Sequence, residues 1–261
     1  MSKKYKGKVC VYCGVNTSDT ADHIFAREFF LQENRQNLPK VPACKKCNSE
    51  KSVLEHYATT VLPFGGRGKR TQDFLKTMVR KRLAKNYKLH VALFVGKQRR
   101  WRQAESGVFV PGLTLPFDYS KIEQLYIYIV KGLIWHHWAM LLTSEYIVEV
   151  IPPTNVNGIG LFSQFFDYEV NQRVNQDLGN GTVLYEGIQL IDKPSMSIWR
   201  FCIYGGIELS GHDDIPNGST VICFIKPLQG FDLQRENSSR IIVPFTRIML
   251  PRTFERWIEG K

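Results

Sequence analysis

The residues best suited to chemistry lie close together near the start of the chain. Asp22 is followed directly by His23, and Asn37, Asn48 and Lys51 come soon after. A neutral imidazole can take a proton from water near neutral pH, and the oxygens of Asp22 and Asn48 are hard ligands that suit magnesium or manganese. A base and a cation together favour phosphodiester hydrolysis, because the cation neutralises charge on the phosphate. These residue types therefore indicate metal-assisted hydrolysis.

Two cysteine pairs flank these residues, Cys10-x-x-Cys13 before them and Cys44-x-x-Cys47 among them. A two-residue spacing lets both thiolates of a pair point at one ion, and two such pairs complete a tetrahedron around zinc. Because all four ligands are then cysteines, we expect this zinc to stabilise the fold rather than to do chemistry. Four ordinary thiols or a redox pair are the alternatives. A disulfide framework would need a secreted chain, and no export signal is visible.

Taken in order, these motifs resemble the HNH endonuclease family, in the branch whose ββα-metal finger is supported by two Cys-x-x-Cys knuckles. The shared elements are Cys10-x-x-Cys13, Asp22-His23, Asn37-Leu38, Cys44-x-x-Cys47-Asn48 and Lys51. The resemblance covers roughly residues 8–56, about a fifth of the chain. It implies a finger of two strands and a helix, with Zn²⁺ as structural ion and Mg²⁺ or Mn²⁺ as catalytic ion.

The resemblance also implies a role for each residue. His23 would be the general base, Asp22 and Asn48 would hold the catalytic ion, and Asn37 would fix the loop and orient His23. A turn residue before Leu38-Pro39 is an equally good reading of Asn37. Lys51 would touch the phosphate or orient the site. Many family members have a metal-binding histidine where this chain has Asn48, which favours an oxygen-preferring ion over zinc or nickel at that position.

Basic charge is concentrated just after this segment. The formal net charge is +11, yet residues 67–102 contain thirteen lysines and arginines against a single acid, Asp73, whereas residues 103–261 contain twelve against seventeen acids. Such a distribution indicates a polyanion partner at one end of the molecule. A solvated charged surface or a helix on an anionic membrane are the alternatives. Beside the candidate nuclease motif, the pattern favours duplex DNA contacted through its phosphates.

The expected phosphate-binding side chains lie in a basic connector, a helix and a later arginine cluster. They are Arg67, Lys69, Arg70, Lys76, Arg80, Lys81, Lys85, Arg99 and Arg100. Trp101 follows the arginines directly, where it either stacks on a base or is buried.

The elements that must position these residues predict an α+β fold. We expect a zinc-stabilised ββα-metal finger (residues 1–62) with its helix over 45–60, a basic connector and helix (63–110), and a larger α+β domain with an antiparallel sheet (111–261). A helix begins at Thr71, and the run 89–95 resembles a strand. Ser120-x-x-Glu123 predicts a capping box before a buried helix over 122–142. Strands are predicted over 146–151, 182–185, 198–204, 206–209, 221–225 and 241–243, with a turn over 216–218. A final helix is predicted over 252–258, and Cys202 and Cys223 are expected in the core.

The sequence therefore predicts an intracellular, cytoplasmic endonuclease of a bacterium or phage, with no membrane segment. Its acidic second half would select the target, form a homodimer or bind a partner protein. Two alternatives stay open: a non-catalytic zinc module that binds nucleic acid, which needs the knuckles and the basic segment but not His23, and an RNA-cutting enzyme that uses the same site.

Overall fold

The architecture is mixed α+β with antiparallel sheets. The computed structural model describes residues 4–103, 106–151, 166, 172–191, 193–207, 209–210, 220–228 and 247–250. Within these ranges the strands form a two-stranded, a four-stranded and a five-stranded sheet. The coarse fold class expected from the sequence is therefore confirmed.

The N-terminal part runs strand, strand, helix. β1 (Thr20–His23) pairs antiparallel with β2 (Lys40–Ala43), with Thr20 opposite Ala43 and His23 opposite Lys40. Two 3-10 turns, Arg27–Phe29 and Gln32–Asn34, lie in the connection between the strands. α1 (Lys45–Val61) follows at once and ends in a third 3-10 turn, Leu62–Phe64. The helix predicted over 45–60 is confirmed to within one residue.

A basic helical segment comes next. It consists of α2 (Thr71–Phe74), a π-helical turn (Leu75–Val79) and α3 (Arg80–Lys85). The predicted start at Thr71 is confirmed, and the apolar side chains of the segment pack inward, with Phe74, Leu75, Val79 and Leu83 buried.

The run predicted as a strand over 89–95 is wrong, because it lies in α4 (Tyr87–Val95). The side chain of Asn86 accepts a hydrogen bond of 3.1 Å from the Leu89 backbone N–H and so caps the helix. A short apolar run has no periodicity that separates a buried strand from a helix, and the cap settles the choice here.

α5 (Tyr119–Trp138) is the long buried helix of the second half. The predicted capping box is wrong, since the helix begins at Tyr119 with Asp118 in the cap position, and the Ser120 hydroxyl donates to the Asp118 carboxylate. The helix also ends before the predicted residue 142, at Ala139, which has a left-handed φ of 54°.

The remaining strands build the two larger sheets. The five-stranded sheet has the order β5-β10-β8-β7-β6, with the bounds Tyr146–Ile151, Val221–Pro227, Ser197–Ile203, Val183–Gln189 and Gln172–Leu178. The four-stranded sheet has the order β3-β4-β11-β9, with the bounds Gln98–Gln103, Phe109–Pro116, Arg247–Met249 and Leu209–Ser210.

Several strand predictions are confirmed, and others are not. Tyr146–Ile151 matches β5, and the predicted runs 182–185, 198–204 and 221–225 fall on β7, β8 and β10. Of the described residues in the run 206–209, Leu209 lies in β9 and Ile207 forms only an isolated bridge with Gly66. β3, β4, β6 and β11 were not predicted; β3 and β6 are polar, so they lack the apolar alternation that marks a half-buried strand. The predictions for 216–218, 241–243 and 252–258 lie outside the described residues.

One apolar core crosses all three predicted segments. It includes Phe25 near β1, Leu83 in α3 and Val130 in α5, and Gly132 of α5 lies so close to Ile24 that an added Cβ would be 3.1 Å from the Ile24 side chain. Cys223 is fully buried, as predicted, while Cys202 is only partly so. Among the described residues no helix is both long and apolar enough to span a bilayer.

Candidate functional site

The first turns of α1 lie across one face of β1. Thr20 and Asp22 share that face because they are two residues apart on a strand, and Asn48 and Lys51 are one turn apart on the helix. The Asn48 amide nitrogen donates to the Thr20 hydroxyl (3.1 Å), and the Lys51 ammonium lies 2.9 Å from Oδ2 of Asp22. Strand and helix thus bring Asp22, Asn48 and Lys51 to the same strand face, with His23 as the residue that ends the strand.

The four cysteines of the two knuckles also meet. The Sγ atoms of Cys10, Cys13, Cys44 and Cys47 all lie within 4.8 Å of one another. Four thiolates around a tetrahedral zinc would be about 3.8 Å apart, given a Zn–S bond of about 2.3 Å. This is the one cluster of metal-ligating side chains found in the described part of the chain, and it can hold an ion such as zinc.

Polar groups around the cluster favour the thiolate of Cys13, whereas burial raises the pKa of Cys10 and of Cys47 when no cation is bound. The Asn16 backbone N–H donates to Sγ of Cys13 (3.5 Å), and its side-chain amide donates to Sγ of Cys44 (3.8 Å). Burial opposes ionisation of Cys13, but the N–H groups of Asn16 and Val15 lower its pKa to about 7. The Lys131 ammonium of α5 donates to the Tyr12 carbonyl (3.0 Å), between the two cysteines of the first knuckle. These donors fit an anionic four-thiolate site.

His23 is half-buried at the end of β1. Burial lowers the pKa of its imidazole, and the positive charges of Lys40, Arg27 and Lys51 lower it further against the opposing effect of Asp22. The ring is therefore neutral at pH 7, the state in which it can accept a proton. The Lys51 ammonium also donates to the His23 carbonyl (2.7 Å), which fixes the backbone on which the ring is carried.

Asp22 is buried and already has two protein partners. The Tyr12 hydroxyl donates to Oδ2 of Asp22 at 2.6 Å, and the Lys51 ammonium contacts the same oxygen. Among the described residues no hydrogen bond reaches Oδ1 of Asp22 or the amide oxygen of Asn48, so each residue keeps one hard oxygen ligand. This donor set suits magnesium or manganese.

Lys51 is fully buried, with 0% of its side chain exposed. Besides Asp22 and the His23 carbonyl, it pairs with the carboxylate of Glu55, one turn further along α1. An ammonium enclosed in this way fits the second of its two expected roles, orienting the site, better than contact with a phosphate in solvent. Lys51 instead connects β1 to α1 beneath the site.

Tyr12 and Glu55 belong to this arrangement although the sequence motifs did not single them out. Glu55 had a local signal, because it lies four residues after Lys51 and such spacing pairs opposite charges on a helix. Tyr12 had none: nothing in its own segment indicates that its hydroxyl reaches Asp22.

Asn37 lies away from this network. It is exposed and has a left-handed φ of 55°, a conformation that asparagine tolerates in turns. No hydrogen bond joins Asn37 to His23 among the residues that the structure describes. The geometry therefore fits the turn reading of Asn37, with Leu38 and Pro39 buried behind it.

Most of the expected phosphate-binding side chains are in solvent. The exposed members are Arg67, Lys69, Lys76, Arg80, Lys81, Lys85, Arg99 and Arg100. Arg70 is partly buried and pairs with Glu33, in the connection between β1 and β2. An open groove of about 570 Å³ lies between this connection and α3, lined among others by Glu33, Arg35, Arg70 and Lys81. The basic helical segment and the connection between β1 and β2 thus border one groove.

No protein-family model, curated protein or solved structure matches the chain significantly.

Proposed function

We propose that this chain is a metal-dependent endonuclease of the HNH type that hydrolyses phosphodiester bonds in DNA. The observation that carries the proposal is the placement of Asp22, His23 and Asn48 on a strand–strand–helix unit beside a four-cysteine cluster. A neutral imidazole and two hard oxygen donors carried on one such unit are the residue types that metal-assisted hydrolysis uses.

Each residue then has a definite task. His23 takes a proton from the attacking water. Its ring can accept that proton because its lowered pKa keeps it neutral at pH 7. Asp22 and Asn48 would hold a magnesium or manganese ion, which would neutralise charge on the phosphate and on the leaving oxygen. Lys51 and Tyr12 position the Asp22 carboxylate through Oδ2. The four cysteines hold zinc and fix where α1 begins relative to β1.

The exposed lysines and arginines on and near α3 bind the DNA backbone. Contacts of this type give affinity without reading sequence and make binding dependent on salt. Five such contacts on duplex DNA would give a log–log salt slope of about −4.5. The second half, with its two larger sheets, supports α1 and is the part available for target selection, for a homodimer or for a partner protein.

A plasmid-nicking assay tests the proposal. Purified protein with magnesium or manganese should convert supercoiled plasmid to nicked or linear form, and His23→Ala should abolish cutting while duplex binding is kept. Asp22→Ala and Asn48→Ala should lose activity and regain part of it at high metal concentration. Unchanged cutting by His23→Ala would refute the assignment of the base, and an unchanged metal requirement in the other two would refute the assignment of the ligands.

A non-catalytic zinc module that binds nucleic acid is the second candidate. The observation in its favour is that Asp22 already has a cationic partner, Lys51, at 2.9 Å. It predicts that the wild-type chain binds DNA and cuts neither DNA nor RNA with any divalent ion. Competition between DNA and RNA substrates in the same assay separates the RNA-cutting alternative.

A further inference from the structure

A β-hairpin outside the candidate site carries an unusual surface. β3 and β4 pair antiparallel from Gln98 opposite Thr114 to Gln103 opposite Phe109, and β3 is the edge strand of its sheet within the residues that the structure describes. An edge strand leaves one side without a neighbouring strand, so its side chains face solvent more than those of a central strand. We call this feature the β3–β4 hairpin.

Large apolar side chains of the β3–β4 hairpin lie in solvent. Trp101 is 70% exposed and Phe109 is 63% exposed, with Val108 exposed beside them. Trp101 is opposite Pro111, and Phe109 is two residues from Pro111, so Trp101 and Phe109 are diagonal neighbours on one face of the hairpin. Aromatic rings are rarely left in water, and a cluster of them marks a binding surface.

The charge around these rings selects one class of partner. Arg99 lies two residues before Trp101 and so on the same face of β3, whereas Arg100 points to the opposite face and Lys97 precedes the strand. All three are exposed. An apolar platform bordered by cations suits a partner with flat apolar faces and a polyanionic backbone.

We infer that the β3–β4 hairpin binds unpaired DNA, with Trp101 and Phe109 stacking on bases and the neighbouring arginines contacting phosphates. Stacking needs a base face that is free, which a base inside a duplex does not offer, whereas every base in a single strand does. The inference rests on the DNA-binding part of the proposed function and deepens it. The substrate would be DNA that contains a single-stranded stretch, such as a flap, a gap or a displaced strand.

The test measures binding without cleavage. Full-length His23→Ala protein is titrated, at fixed low salt, into a fluorescein-labelled oligodeoxythymidylate of about a dozen nucleotides, a duplex of similar length and the matching oligouridylate. In this background Trp101 is changed to Ala, Phe or Leu, and Tyr87→Ala serves as a matched control, since Tyr87 is an exposed aromatic residue of α4 outside the hairpin. Melting temperatures establish that every variant is folded.

Trp101→Ala should weaken single-strand binding by about tenfold or more, with less than about a twofold effect on duplex. Trp101→Phe should keep most of the affinity, while Trp101→Leu should behave like Ala because it is apolar but has no π-face. Tyr87→Ala should bind like the parent protein.

Four outcomes would overturn the inference. Full affinity in Trp101→Leu would indicate an apolar protein-docking surface, and equal losses of affinity for single strand and duplex would indicate phosphate contacts alone. The other two are unchanged affinity in Trp101→Ala and a loss of affinity on changing Trp101 that is seen for the uridylate only. Because cleavage plays no part, Trp101-dependent binding by a chain that never cuts plasmid would support this inference while the nuclease proposal fails.

Discussion

The ammonium of Lys51 is enclosed between two carboxylates and a backbone carbonyl. Asp22 and Glu55 flank it, the His23 carbonyl accepts a hydrogen bond from it, and the Tyr12 hydroxyl donates to the same oxygen of Asp22 that Lys51 contacts. Taking a charge out of water is expensive, and enclosed pairs are stable only when every group has a partner. The arrangement therefore keeps Asp22 and the end of β1 in one position, which is what a candidate metal ligand and base require.

The buried carboxyl of Glu55 should make the stability of the protein depend on pH. Burial raises the pKa of its carboxyl from 4.5 to about 7, although the charge of Lys51 acts in the opposite direction. The folded state thus binds this proton more strongly than the unfolded state, so its contribution to stability is complete below about pH 4.5 and is lost as the pH rises through 7. In Glu55→Gln that loss should disappear.

Denaturant unfolding at a series of pH values measures the loss of stability that Glu55 causes as the pH rises. The free energy of unfolding of wild type minus that of Glu55→Gln should fall by up to about 3 kcal/mol across the window, since one pKa unit corresponds to about 1.4 kcal/mol. Glu145→Gln, at an exposed carboxylate that is not among the charges acting on Glu55, is the control and should follow the wild-type profile. Parallel profiles for wild type and Glu55→Gln would show that the buried carboxyl does not titrate in this range.

At the scale of elements, the four-cysteine cluster joins the N-terminal loop to the start of α1. Cys44 is the residue directly before the helix, and Cys47 is in its first turn. A metal held there sets the position of the helix, because two of its ligands belong to the helix end and two to a distant loop. Structural zinc sites of this kind contribute directly to folding free energy.

Cys44→Ser should therefore lower both metal content and stability. Elemental analysis of wild-type protein should give about one zinc per chain, and the variant should give much less and melt at a clearly lower temperature. Cys202→Ser is the matched control, because Cys202 is a partly buried thiol of β8 outside the cluster. Full zinc content and an unchanged melting temperature in Cys44→Ser would remove the zinc proposal.

At the scale of the whole molecule, the first sixty residues are not packed separately from the rest. Phe25 and Phe29 are fully buried, and their partners lie far along the chain: the Phe25 ring stacks on Tyr185 at 5.6 Å, and the Phe29 ring lies 6.2 Å from Tyr204. A separate finger would leave these faces in water, and burial of one large side chain is worth about 1.5–3 kcal/mol.

A fragment of residues 1–62 should accordingly fail to fold on its own, even with zinc. We expect poor amide dispersion in its NMR spectrum and no cooperative melting transition, while the full chain melts cooperatively under the same conditions. A well-dispersed spectrum from the zinc-loaded fragment would show that the finger is an independent domain and that its contacts with β7 are dispensable.

Much of the candidate site was predictable because its signals are local. The Cys-x-x-Cys spacing predicts four thiols that the fold does gather, and the strand over 146–151 follows from the residue pattern of its own segment. The helix over 45–60 follows from the motif order that resembles the finger and from the breakers Pro63 and Gly65-Gly66 after it. The concentration of basic charge also needed only the order of residues. Signals of this kind depend on neighbours a few positions apart, and no distant part of the chain is needed to form them.

Burial was decided by the tertiary structure alone. Lys51 resembles a surface lysine in sequence, yet α1 packs on β1 and encloses it, whereas Trp101 resembles a core residue and lies in solvent on an edge strand. The partnership of Tyr12 with Asp22 likewise arises only when the first knuckle folds over the strand. Which face of an element meets another is set by contacts between residues far apart in the chain, and no local pattern of residue types contains that information.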